Sequence, residues 1–267
     1  MRLLVFGYGD IGRAFGRRLS AEGWEITATA RSDADRALQA KDGAASIDPA
    51  KSGQVRADAL LITAPPGPDG CPALAAEVIA PWTAYLSTTG VYGDHAGRWV
   101  FEETPLTPRS EEGRRRAEAE TTWLALGACT FRLPGLYGPG RSAFDRLRDG
   151  TARRITRQGQ IFSRAHTDDV ASALAASLAQ PRPGAAYNIC DDEPAPNAEV
   201  IAEAARLLGL PIPPEEPFET AELSAAARRF YGESKRVSNA LAKAELGWRP
   251  AYRTYREGLR AILAAGG

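Results

Sequence analysis

The chain has 267 residues, enough for one large α/β domain or for one domain with a smaller lobe. Its 33 lysines and arginines balance 33 aspartates and glutamates, so the formal net charge is zero and no bulk attraction to nucleic acid or anionic lipid follows. Three widely spaced cysteines, Cys71, Cys129 and Cys190, match neither a metal-ligand spacing nor a disulfide framework, and they point to a reducing compartment.

The opening segment MRLLVFG reads as a strand, without a signal region, and no apolar run is long enough to span a bilayer. The expectation is a cytoplasmic protein that acts on a small molecule and has no metal, nucleic-acid or membrane partner. The arginine clusters at 114–116 and 153–157 read as solvated faces.

In chain order, RLLVFG is followed by a helix over about 11–22. WEITATA and a helix over about 34–41 come next. ALLITAPP, AYLSTTG, CTFRLPG and AAYNICDD are later apolar strands. Such strands separated by helices indicate an α/β fold with a doubly wound parallel sheet, Rossmann-like and covered on both faces. After Asp191 the pattern changes to helices and a proline-rich loop, a smaller, mostly helical C-terminal lobe. Asn197 is the expected N-cap of its first helix and Gly209 its end. Residues 1–134 and 165–191 are assigned to the dinucleotide-binding domain, and 135–164 and 192–267 to the substrate lobe.

VFGYGDIGR places Gly7, Gly9 and Gly12, with Tyr8, Asp10 and Ile11 between them, directly after the first strand and at the start of a helix. In that context the spacing is a dinucleotide fingerprint. Gly7 permits the tight turn, Gly9 lets backbone approach a pyrophosphate, and Gly12 lets helix and strand pack closely. The helix N-terminus faces the phosphates with free N–H groups. The Asp10 carboxylate is expected to point away from them. At the end of the second strand, where an acid would grip the ribose of NAD, the chain has Arg31 and Ser32. A guanidinium and a hydroxyl suit a 2′-phosphate, so NADP(H) is expected ahead of NAD(H). Ser32 or Asp33 is also placed to cap the next helix.

With these residues read, the chain resembles the extended branch of the short-chain dehydrogenase/reductase superfamily, the NAD-dependent epimerases/dehydratases, and within it an atypical subgroup. The resemblance covers nearly the whole chain. It rests on the glycine loop, LLITAPP, YLSTTGVYGD, FRLPGLYGPGR, IFSRAHTDDVASAL, AYNICDDEP and LGWRP, in that order. It implies that Thr88 is the catalytic hydroxyl and that Ala64, Pro65 and Pro66 border the cofactor. Pro134 and Leu136 would lie near the nicotinamide ribose, and Tyr137, Arg141, Arg164 and His166 would face the substrate. His166 can equally hold a loop, and Asp169 reads as a helix cap. The resemblance also implies a homodimer built on the helix that starts near Ser110, paired with a second long helix.

The family's Tyr-x-x-x-Lys pair is absent. TPRSEEGRRRAEAE puts Glu112 at the tyrosine position and Arg116 at the lysine position. An ionised glutamate four residues before an arginine is a poor proton donor and reads as half of a surface ion pair. Ser110 would cap this helix. Arg116 keeps its charge and can bind ribose or phosphate. Tyr92 and Tyr137 are the phenols left to replace the proton donor. Two functions stay open: an NADP-dependent oxidoreductase acting on a small polar or nucleotide-sugar-like substrate, and a non-catalytic NADP(H)-responsive redox sensor.

Overall fold

The computed structural model describes residues 1–78 and 80–266. Seven strands make the central sheet: β1 (Arg2–Phe6), β2 (Glu25–Thr29), β3 (Ala45–Ile47), β4 (Ala59–Ile62), β5 (Trp82–Thr88), β6 (Cys129–Leu133) and β7 (Ala186–Asn188). Their spatial order is β7-β6-β5-β4-β1-β2-β3, and all six pairings are parallel. This is the doubly wound arrangement read from the sequence.

Strand alternation divides the core. Leu3 and Val5 point to one face, against Phe15 and Leu19 of α1 (Asp10–Ala21) and Val170 and Leu174 of α6 (Thr167–Ala179). Leu4 and Phe6 point to the other, into the cluster that holds Ala119 and Trp123 of α4 (Glu111–Ala125). The strand order reverses between β1 and β4, which opens a crevice at their carboxyl ends.

α2 (Asp33–Lys41) follows β2. Ser32 caps it in a capping box with Asp35, which supports the capping role offered for Ser32. Ser110 caps α4 by accepting the Gly113 N–H at 2.9 Å, as expected. Among the described residues between β4 and β5, the one helix is α3 (Pro72–Ala75), a single turn.

The chain leaves the sheet after Leu133. Gly135–Tyr137 pairs in parallel with Arg164–His166, Arg154–Thr156 with Glu215–Pro217, and Trp99–Val100 with Arg236–Val237. Only the second of these ladders lies wholly within the mostly helical lobe; the other two join it to residues 165–166 and 99–100, and the sequence revealed none of the three. The lobe's helices are α5 (Ala143–Arg148), α7 (Asn197–Leu208), α8 (Ala225–Tyr231), α9 (Ala240–Glu245) and α10 (Tyr255–Ala264). Tyr137, Phe144, Ala204, Tyr255 and Leu259 form its core. Ala242, Leu246 and Trp248, late in the chain, pack instead into the core of the sheet beside α1 and α6.

Two expectations change here. Pro196 takes the N-cap of α7, and Asn197 becomes its first helical residue. Its amide is freed to donate to the Tyr231 hydroxyl at 3.0 Å. Gly209 ends α7 in the left-handed conformation (φ 67°), as expected. Asp169 does not cap α6. It accepts the backbone N–H groups of Ala251 and Tyr252 at 2.6 and 3.2 Å and ties α6 to the LGWRPAY turn. His166 provides the cap, accepting the Asp168 N–H at Nδ1 at 3.2 Å.

Candidate cofactor and substrate site

The glycine loop shows three distinct environments. Gly7 has φ +94°, and a Cβ there would come within 2.7 Å of the Thr63 hydroxyl and 3.0 Å of the Ala64 nitrogen. A Cβ on Gly12 would meet Val5 at 2.9 Å and the Gly7 carbonyl at 3.0 Å. A Cβ on Gly9 would meet nothing within 4 Å. Two glycines are therefore required by the fold, while the third faces an open cleft. Two threonines hold the turn. Thr29 accepts the Gly7 N–H at 2.9 Å, and Thr63 donates to the Gly7 carbonyl at 2.6 Å. Neither threonine stood out in the sequence, because each becomes significant only through its place at the end of a neighbouring strand.

The cleft over this loop measures about 460 Å³, and its lining includes Gly7, Tyr8, Gly9, Arg31, Ala64 and Pro65. Thr29, Thr63, Asp35, Leu38 and Pro49 complete much of its wall. Pro66 and Ser32 are not among the lining residues. Ile11 turns its side chain into the core, 4 % exposed, so it presents only backbone to the loop. Asp35 accepts the N–H groups of Arg31 and Ser32 at 2.9 and 3.0 Å. The Arg31 bond is the largest cause that holds its carboxyl below the usual range. Its charge is thus engaged locally, whereas Arg31 is exposed and its guanidinium forms no ion pair among the described residues. Asp10 is not among the residues that line this cleft and pairs with Arg141 at 2.8 Å. That bond takes Arg141 to the rim, where it joins the lobe to the start of α1.

A second cavity, about 310 Å³, lies at the carboxyl ends of β5 and β6. Thr88, Thr89 and Gly90 form one side and Pro134 and Gly135 another; Ser110 and Glu112 reach it from the start of α4, and Ser163, Arg229, Glu233 and Lys235 from the lobe. Thr88 is half-buried, and its Oγ accepts the Gly90 N–H at 3.1 Å. Of these residues the sequence points to Thr88, Glu112 and Pro134 but not to Lys235, Glu233, Ser163 or Arg229.

A third cavity, about 750 Å³, brings together Leu136, Tyr137, Arg141 and Arg164 with Arg146, Asn197 and Tyr231. The stacked rings of Phe162 and Phe230, 4.3 Å apart with 6° between planes, border both the second and third cavities. Arg164 is 8 % exposed and donates to the Ala195 carbonyl at 3.1 Å. Its guanidinium lies over the Tyr255 ring at 5.3 Å. Burial pushes the nearby Asp191 carboxyl up to about 8.

Several expected site residues sit elsewhere. Glu112 and Arg116 do not pair. Glu112 is exposed and approaches Arg229 at 3.8 Å, whereas Arg116 donates to the Leu86 carbonyl of β5, one residue beyond the last β4 partner. The long guanidinium reaches an interior strand of the sheet from α4 and is spent on that carbonyl, not on Glu112 one turn away. Tyr92 is fully buried and borders none of the three cavities. Its hydroxyl is bonded within the core, and burial pushes it up to about 12. Tyr137 lines the third cavity by its ring, but its hydroxyl is buried against α10, where a Cβ on Gly258 would come within 2.2 Å of it. Burial raises this phenol strongly as well. His166 is 2 % exposed and packed between the rings of Tyr137 and Tyr252, so it acts as the cap of α6 and not as a wall of the cleft.

Among the described residues no group of three His, Cys, Asp or Glu side chains is placed to hold a metal ion, and no helix is long and apolar enough to cross a membrane. All three cysteines are free and buried.

The sequence matches no family model. It is 31% identical over 240 residues to protein YeeZ of Escherichia coli, covering 79% of this chain and 85% of that one. A conserved protein of unknown function from Silicibacter pomeroyi is 46% identical, with a TM-score of 0.93 over 99% of this chain and 98% of its own. A structure assigned to the NAD-dependent epimerases/dehydratases, from Methylobacillus flagellatus, is 26% identical, with a TM-score of 0.78 over 99% and 98% of the two chains. The glycine loop, the sheet order and these likenesses agree: the chain belongs to the NAD-dependent epimerase/dehydratase family of extended short-chain dehydrogenases/reductases.

Proposed function

We propose that this chain is an NADP(H)-dependent oxidoreductase acting on a small polar substrate that carries a carbonyl group. The observation that carries the reading is the contrast within the glycine loop. Gly7 and Gly12 are closed in by the fold, while backbone at Gly9 lies open beside a cleft that leads to Arg31. Gly9 and the amino end of α1 would hold the pyrophosphate, and Arg31 the 2′-phosphate. Ala64 and Pro65 would border the adenosine, and Pro134 the nicotinamide side. When bound, the dinucleotide supplies redox equivalents. The chain supplies the walls around Thr88 that exclude water and orient the substrate.

A redox sensor is the second reading, favoured by the core-bonded hydroxyl of Tyr92 and the absence of a phenol among the residues around Thr88. The test has two parts. Fluorescence titration compares NADPH with NADH, and NADPH oxidation is then followed against a panel of small aldehydes, ketones and 2-oxo acids. Tighter NADPH binding with turnover supports the enzyme. Tight binding without turnover favours the sensor, and no binding of either dinucleotide removes both readings.

A further inference from the structure

This chain takes its positive charge almost entirely from arginine; its only lysines are Lys41, Lys51, Lys235 and Lys243. Lys235 is distinctive in its surroundings. It is 9 % exposed, and its Nζ donates to the Gly93 carbonyl at 2.6 Å and to the Glu233 carboxylate at 2.7 Å. It borders the same cavity as Thr88, Pro134 and Gly135. An ammonium has three N–H donors, so these two bonds leave one unspent. The Thr88 Oγ accepts the Gly90 N–H, and its own hydroxyl proton is likewise left to donate. A compact ammonium fits between a carbonyl and a carboxylate at a small cavity, where a planar guanidinium fork would not.

We propose that Lys235 is the cation that holds a substrate carbonyl oxygen in this cavity, with Thr88 as the second donor. This rests on the oxidoreductase reading above. Lys235 takes over the charge-stabilising part of the role that the absent Tyr-x-x-x-Lys pair plays in the family. Gly93 and Glu233 fix the position of the ammonium in advance, and Glu233 offsets the cost of burying it. A preorganised donor in a site shielded from water stabilises developing negative charge on an oxygen far better than one in bulk solvent.

The test uses the full chain labelled with [15N]lysine, whose four side-chain Nζ resonances are assigned with Lys235→Arg. Oxamate, a small probe with a carbonyl and a carboxylate, is titrated with and without NADP+. The expected result is a saturable shift of the Lys235 resonance alone. No shift there, or equal shifts at all four lysines, overturns the proposal. Lys235→Met is expected to abolish the oxamate response in a thermal-shift assay and to leave NADPH affinity within about twofold. For any carbonyl that the unmodified protein reduces, it should lower kcat by about 10²-fold, as for loss of one oxyanion donor, and Lys235→Arg, whose fork does not fit there, should not restore it. Should Lys235→Met fail to fold, the resonance titration of the unmodified chain decides. That titration is also read without dinucleotide, so failure to bind NADPH would overturn the oxidoreductase reading while the Lys235 contact stands on its own result.

Discussion

The Tyr92 hydroxyl donates to Oδ1 of Asn188 at 2.8 Å, so the end of the Thr88 segment is bonded to the last strand of the sheet. The same hydroxyl accepts from Arg132 at 2.8 Å, and Arg132 is itself paired with the buried Glu120. A phenol held this way, with its proton committed and burial pushing it up to about 12, is a structural group. We predict that Tyr92→Phe leaves NADPH affinity and any turnover within about twofold. It should lower unfolding stability by about 1–3 kcal/mol, the cost of leaving buried donors and acceptors unpaired. Urea denaturation beside a kinetic assay checks this. A loss of turnover at unchanged stability would restore Tyr92 as the proton donor.

What the sequence revealed was local. The glycine loop, the apolar strands and the Ser110 and Gly209 boundaries each depend on residues within a few positions of one another, and the fold honours them. The cavity-lining residues legible in the sequence lie at strand ends, as at Thr88, Arg31 and Pro134, or at a helix start, as at Glu112. Lys235 meets Gly93 across 142 positions, and Tyr92 meets Asn188 across 96. No periodicity links such pairs. The scarcity of lysine was the one signal that could have singled out Lys235. The expected Glu112–Arg116 pair failed for the complementary reason. Helical spacing brings two side chains within reach, but Arg116 found a better-placed acceptor in the Leu86 carbonyl.

Substitutions in the glycine loop should separate folding from binding. Gly7→Ala combines a positive φ with a Cβ 2.7 Å from Thr63, and it should destabilise the chain by about 1–3 kcal/mol. Gly9→Ala meets open space, so its melting temperature should match that of the unmodified chain while NADPH affinity falls at least tenfold. Thermal melts and fluorescence titration of the two variants provide the comparison. Equal NADPH affinity in Gly9→Ala and the parent would show that no pyrophosphate approaches there.

Arg31 gives the cofactor preference a direct measure. A charge-assisted bond contributes about 1.5–3 kcal/mol, so Arg31→Ala should weaken NADPH binding by roughly 10- to 100-fold and leave NADH nearly unchanged. Parallel dissociation constants decide it. A loss shared by both dinucleotides would place Arg31 on the adenine or the pyrophosphate instead of the 2′-phosphate.

The family's dimer joins two long helices from each subunit, and α4 is one candidate. Among its described residues the β4–β5 connection carries the single turn of α3 and no longer helix. The exposed Thr121 and Thr122 hydroxyls on α4 bond back to their own helix. Glu111, Glu112, Arg114 and Glu118 are also exposed on this helix, so we predict a monomer of 28.6 kDa in sedimentation equilibrium at micromolar concentration. A mass twice that value, lost on Thr121→Arg, would establish the α4 interface.

Asp191 should make stability fall as pH rises. It is 3 % exposed, its Oδ2 has no hydrogen-bond partner among the described residues, and burial pushes it up to about 8 against the partial relief that Arg164 gives. The unfolded chain loses this proton near pH 4. Between about pH 4 and 8 the folded form therefore holds a proton that the unfolded form has released. The stabilisation is complete below pH 4 and is lost as pH climbs to 8, at up to about 1.4 kcal/mol per pH unit. Asp169, pushed up to about 6 by burial, adds the same trend over the lower part of that range. Urea unfolding at pH 6 and pH 8 is dominated by Asp191, since Asp169 is already half ionised at pH 6 and loses little further stability above it. The unmodified chain should be less stable at pH 8, and Asp191→Asn, neutral throughout and nearly the same shape, should remove most of that difference. An undiminished difference in the asparagine variant would show that Asp191 is already ionised at pH 6, held by Arg164.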